Sequence, residues 1–120
     1  MTGARLLIVE DDPALAQMLR LGFGELGYRV CLAGSCRQAR RMLAETRFDL
    51  VLLDYHLPDG KGSELLEVCR SRQPEPAIIL SSGHTDHEEL ERIAGRRCRF
   101  VPKPAAAETL DLVFRTLARV

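Results

Sequence analysis

The sequence predicts an α/β fold: a doubly wound five-stranded parallel sheet, strand order 2-1-3-4-5, with five helices covering its two faces as a three-layer sandwich. Three observations predict it. Short β-like apolar runs alternate with stretches of helical periodicity, the links between them are short, and "DLVLLD" is almost continuously apolar, as a strand buried on both faces must be. Right-handed crossovers between successive parallel strands then place helices on both sides of the sheet.

The elements follow in order. "RLLIV" is the first strand, and Asp12, next to Pro13, has the chemistry to cap the helix after it. Leu15, Met18, Leu19, Phe23 and Leu26 form that helix's apolar stripe, which Gly27 ends. Gly22 and Gly24 inside it each cost about 1 kcal/mol against Ala, so close packing is expected there. "YRVCLA" is the second strand, with Cys31 expected in the core, and Ala39, Met42 and Leu43 mark the second helix. "DLVLLD" is the third strand; after the turn-rich "HLPDGKG", Leu65, Leu66 and Cys69 mark the third helix. "AIILS" gives strand four, Leu90, Ile93 and Ala94 give helix four, and "RFV" gives a short fifth strand. Leu110, Val113, Phe114 and Leu117, at i, i+3, i+4 and i+7, close the pattern with an amphipathic helix.

Composition bounds the function. A chain of 120 residues, 46% hydrophobic and 28% charged, matches one globular domain spanning residues 1–120. Lys plus Arg and Asp plus Glu number 17 each, so no chain-wide basic field exists to hold nucleic acid or an acidic membrane. No apolar run approaches the roughly 18 residues of a membrane span, and "MTGARLL" lacks the apolar core of a signal peptide, so a cytoplasmic location is expected. Cys31, Cys36, Cys69 and Cys98 lack a C-x-x-C pair and read as reduced thiols.

On this scaffold the polar residues gather. Glu10 and Asp11 end the first strand, Asp54 the third and Ser81 the fourth, while Lys103 follows the fifth. Open parallel sheets bind ligands beyond the carboxyl ends of their strands, where strand order reverses. With strands one and three adjacent, three carboxylates converge there, and a divalent cation with a taste for hard oxygen ligands, such as Mg²⁺, would relieve their repulsion.

"VEDD", "LLDYHLPDGKG", "ILSSG" and "FVPKP", in this order across essentially the whole chain, resemble the receiver domain of two-component response regulators, the CheY-like superfamily with its flavodoxin-like sandwich. The resemblance implies that Asp54 accepts a phosphoryl group from a sensor histidine kinase or histidine phosphotransfer protein. It implies Glu10 and Asp11 as the acidic pair for Mg²⁺, with Asp54 and the backbone carbonyl of His56 completing the protein ligands. Ser81 stands for the family's hydroxyl residue, Lys103 for its lysine, with a cis Lys103–Pro104 bond, and Phe100 for its switch aromatic. The family signals through the region of helix four and strand five; it catalyses its own phosphoryl transfer and a slow autodephosphorylation, and is not otherwise an enzyme.

Taken singly, each residue has a plainer reading. An acidic triplet before a helix is commonly cap and solvated charge, "PDG" is turn chemistry, and Phe100 by default is core. Their conjunction on one sheet edge favours the site. A pseudo-receiver, an unphosphorylated interaction module with the same fold, is the alternative. An aspartyl-phosphate phosphohydrolase is weaker, because its second Asp is replaced by His56, and no G-x-G-x-x-G follows strand one to bind a dinucleotide. Ala105 stands where many DNA-binding regulators have an aromatic residue, and "GRRCRF" where they often have acidic ones. Arg92, Arg96, Arg97 and Arg99 form a local basic cluster, and His84, Asp86 and His87 read as solvated surface. A single-domain regulator, a phosphorelay shuttle and a receiver from a longer regulator or hybrid kinase are all compatible with this sequence.

Overall fold

The computed structural model describes residues 3–83, 87–95 and 97–118. The sheet strands are β1 (Arg5–Val9), β2 (Arg29–Ala33), β3 (Leu50–Asp54), β4 (Ala77–Ser82) and β5 (Cys98–Pro102). The helices are α1 (Pro13–Glu25), α2 (Cys36–Glu45), α3 (Gly62–Arg70), α4 (His87–Ile93) and α5 (Ala107–Ala118). The sheet runs β2-β1-β3-β4-β5 and every pair in it is parallel, the order expected from sequence. Between β3 and α3 the chain adds a small antiparallel hairpin, His56–Leu57 against Gly60–Lys61, that the hydrophobic pattern does not announce.

Alternation along the central strands divides the core in two. Leu7, Val9, Val51, Leu53, Ile78 and Leu80 face α2, α3 and α4, whose Leu43, Leu65, Leu66 and Leu90 cover them. Leu6, Ile8, Leu50, Leu52 and Ile79 face the other way, under Leu19 and Phe23 of α1 and Leu110, Phe114 and Leu117 of α5. Both faces are buried, which is why these runs show no polar alternation.

Helix ends follow local chemistry. Asp12 Oδ1 accepts the Ala14 N–H at 3.0 Å and the Leu15 N–H at 3.4 Å, with Pro13 opening α1. Gly27, at φ +94°, takes the left-handed conformation that ends this helix's turn. A Cβ on Gly22 would lie 2.8 Å from Ala107 Cβ, so this glycine permits the close approach of α1 and α5. Gly24 has open space around its Cβ position, and the expectation of tight packing fails there.

Cys31 corrects a second expectation: it is exposed rather than core. Strand β2 forms the sheet edge, pairing only with β1, and its side chains are correspondingly less covered. All four cysteines are free thiols; burial pushes Cys69 up to about 12 and Cys36 up to about 11, so both remain protonated. No described helix is long and apolar enough to cross a membrane.

Candidate functional site

Strand β1 has β2 on one side and β3 on the other, and a crevice opens beyond the carboxyl ends at this reversal. Glu10 and Asp11 enter it from β1 and Asp54 from β3. One carboxylate oxygen from each lies within 4.8 Å of the other two. Glu10 and Asp54 are 5% and 7% exposed, whereas Asp11 faces solvent.

Lys103, arriving from the end of β5, places its ammonium 2.6 Å from Glu10 Oε1 and 3.3 Å from Asp54 Oδ2. The second oxygens are also held: Glu10 Oε2 accepts the Asp12 N–H at 3.1 Å, and Asp54 Oδ1 accepts the His56 N–H at 3.2 Å. Burial pushes the Glu10 carboxyl above its ordinary range, helped by the charge of Asp54, and the bonds from Lys103 and Asp12 only partly oppose it. Burial also opposes the charge on Lys103, but its bond to Glu10 and the charges of Asp54 and Glu10 win, and its pKa rises. The ammonium therefore stays protonated between two buried carboxylates.

Ser81 pairs in register with Asp54 on the adjacent strand and is 7% exposed; its carbonyl accepts the Tyr55 N–H at 2.9 Å. The Lys103–Pro104 bond is cis, as is Gln73–Pro74. Phe100 is already buried in the core beneath α4, with the His87 ring 5.0 Å from its own. A switch at this position therefore has to repack a buried ring rather than draw in an exposed one. Arg92 and Arg99 are exposed, whereas Arg97 is partly covered. Arg96, His84 and Asp86 lie outside the described residues.

Sequence reasoning missed three contributors. Gly62 opens α3 against the end of β3: a Cβ there would meet Tyr55 Cα at 3.0 Å and the Asp54 carbonyl oxygen at 3.2 Å, so any side chain would displace the backbone beside Asp54. Tyr55, next to Asp54, donates from its hydroxyl to Glu89 of α4 at 3.1 Å. Asp59, read as turn chemistry, reaches α2. The glycine in "DGKG" was the one local signal; the other two contacts join residues far apart in the chain. A cleft of about 770 Å³ runs from Asp54 and Lys103 between α1 and the start of α5, past Leu15, Met18, Ala105 and Leu110.

The buried Asp54 carboxylate, two further acidic groups and a bridging lysine at the switch point of a 2-1-3-4-5 sheet define an acidic crevice able to hold a cation. The chain belongs to the response regulator receiver domain family, whose model matches residues 6–115. It is thus a receiver domain of the two-component signalling type. It is similar to the transcriptional regulatory protein AruR of Pseudomonas aeruginosa, 41% identical over 99 residues, 78% of this chain and 39% of AruR. The chain thus spans well under half the length of that relative. Among solved structures, a CheY-like response regulator receiver domain protein from Methanospirillum hungatei superposes with a TM-score of 0.85 at 26% identity, covering 98% of this chain and 95% of the other. The response regulator protein TrrA of Thermotoga maritima, solved in complex with Mg²⁺ and BeF, shares the fold at a TM-score of 0.81 and 24% identity, covering 98% of this chain and 99% of that one.

Proposed function

We propose that residues 1–120 form a single receiver whose Asp54 accepts a phosphoryl group with the help of Mg²⁺. The observation that carries this reading is the convergence of Glu10, Asp11 and Asp54 within 4.8 Å, bridged by Lys103. Three carboxylates against one ammonium leave two negative charges in the crevice, which a divalent cation would balance. The donor set is all oxygen, matching the preference of Mg²⁺ for carboxylates and carbonyls with water at its remaining positions. Glu10, Asp11, Asp54 and the His56 carbonyl would hold it, and when bound it neutralises charge on the transferred group. TrrA, of the same fold, carries Mg²⁺ and BeF in its solved structure.

The chain's own residues do the rest. An Asp54 oxygen attacks phosphorus in line, the P–N bond of a phosphohistidine breaks, and its electron pair returns to the imidazole nitrogen. Lys103 faces the oxygen charge that develops, and Ser81, beside Asp54 on β4, supplies a hydroxyl to a phosphoryl oxygen. Positioning and electrostatics thus account for the catalysis. Water later hydrolyses the acyl phosphate slowly, and this self-catalysed turnover is the whole of the chain's chemistry. The donor is a sensor histidine kinase or histidine phosphotransfer protein in the cytoplasm. The output, through α4 and β5 with Phe100 as the repacking residue, acts on an effector domain or protein rather than on nucleic acid or membrane directly.

Incubation with acetyl phosphate and Mg²⁺ tests this reading: intact mass should rise by one phosphoryl group in the wild type and not in Asp54→Asn. Equal labelling of both proteins would overturn the assignment, and no labelling of either would favour the pseudo-receiver.

A further inference from the structure

The hairpin that follows Asp54 is anchored at its tip by a helix remote from it in sequence. Leu57 pairs with Gly60, so Pro58 and Asp59 form a two-residue turn. From that turn the Asp59 carboxylate crosses to the start of α2, where Oδ1 accepts the Cys36 N–H at 2.8 Å and Oδ2 accepts the Arg37 N–H at 3.0 Å. These are two of the donors that the first turn of any helix leaves without an intrahelical acceptor. A third, on Gln38, is taken by Ser35 Oγ at 3.1 Å. The base of the hairpin is tied to the acceptor instead: the His56 N–H donates to Asp54 Oδ1 at 3.2 Å, and the Gly62 N–H donates to the Tyr55 carbonyl at 2.8 Å.

A hairpin with only two residue pairs is not stable in isolation, so its placement depends on what holds it. Its base is covalently continuous with Asp54 on one strand and with α3 on the other, and Leu57 is buried in the core. Its tip is held by Asp59 on α2. A two-toothed charge-assisted grip of this kind is short and directional, which suits it to fixing a position rather than merely filling a helix end.

We propose that Asp59 is a positioning residue for the cation and phosphoryl site: by gripping the first turn of α2 it holds the hairpin, and with it the His56 backbone, against Asp54. The inference rests on the roles given above to Asp54 and the His56 carbonyl. It also makes α2, which contributes no group to the crevice, part of what determines cation affinity. The same logic applies to residues that orient metal ligands without touching the metal.

The full chain tests it as Asp59→Ala, Asp59→Asn and, for comparison, Ser35→Ala, which weakens the same helix end without touching the hairpin. Mg²⁺ affinity is measured by calorimetric titration, and the amide signals of Tyr55, His56 and Lys61 are followed by NMR in metal-free protein. Asp59→Ala should weaken Mg²⁺ binding about tenfold, the effect typical of a residue that orients a ligand, and should move all three signals. Asp59→Asn, keeping one acceptor oxygen, should recover part of both. Ser35→Ala should lose thermal stability while keeping wild-type Mg²⁺ affinity and amide positions. Unchanged affinity and signals in Asp59→Ala, or equal changes in Ser35→Ala, would overturn the proposal and leave Asp59 as a helix cap. A wild type that binds no Mg²⁺ would remove the cation reading alone; movement of the metal-free amide signals in Asp59→Ala would then still support the grip, and their constancy would overturn it.

Discussion

The Lys103 ammonium lies 2.6 Å from Glu10 Oε1, so the last loop before α5 closes onto the first loop of the sheet through one charged contact. Because Asp54 is also within 3.3 Å of it, Lys103 compensates two carboxylates that are otherwise buried together. Lys103→Ala should destabilise the metal-free protein by about 2–3 kcal/mol, under the roughly 3–5 kcal/mol of a fully buried broken pair, since 24% of its side chain is exposed. Mg²⁺ should then raise the melting temperature of Lys103→Ala more than that of the wild type, because it enters a site with one more uncompensated charge. Equal Mg²⁺-induced shifts in thermal melts would count against this electrostatic account.

Asp59 sets an acid limit. The backbone N–H groups of Arg37 and Cys36 hold its carboxyl below the usual range. A group whose folded pKa is depressed contributes stability above its unfolded pKa, about 3.9 for Asp, and loses it as pH falls through the lower folded value. The stability gap between wild type and Asp59→Ala should therefore be constant near neutrality and shrink below about pH 4. Urea midpoints across this range check it; a gap unchanged in strong acid would show that the contact does not depend on charge.

Gly22 weighs helix propensity against packing. Gly22→Ala gains about 1 kcal/mol of propensity but sets a methyl group 2.8 Å from Ala107 Cβ, and overpacking costs about 1–3 kcal/mol. The clash should win, lowering the urea midpoint. Adding Ala107→Gly should restore part of the loss, and simple additivity of the two changes would contradict direct contact.

In the proposed mechanism Ser81 links Asp54 to the α4–β5 face. A hydrogen bond to a charged group contributes about 1.5–3 kcal/mol, enough to move a two-state population roughly ten- to a hundredfold. Ser81→Ala should still be phosphorylated at Asp54, yet show reduced amide shift changes around Phe100 and His87 when beryllofluoride and Mg²⁺ are added. A full wild-type pattern in that variant would break the proposed coupling.

The strands were legible because β1, β3 and β4 are buried on both faces and leave unbroken apolar runs, as in "LVLLD". The acidic pair, Asp54 and Lys103 were legible because strand ends of a doubly wound sheet share one edge, so sequence position gave spatial position. Cys31 was not, since "YRVCLA" reads like a core strand and only the strand order makes β2 an edge. Asp59 and Tyr55 were not, because their partners on α2 and α4 are chosen by packing rather than by local pattern. Phe100 was found as a position, but its burial under His87 depends on where α4 docks.

The proposed reaction places the phosphoryl group on Asp54 and depends on Mg²⁺. Borohydride reduces an acyl phosphate to an alcohol, so treatment of the acetyl phosphate-labelled chain, followed by peptide sequencing in the mass spectrometer, reads the modified residue directly. Homoserine should appear at position 54 when Mg²⁺ is present and be absent when it is chelated. Homoserine arising from another aspartate, or labelling of Asp54 undiminished without Mg²⁺, would contradict it.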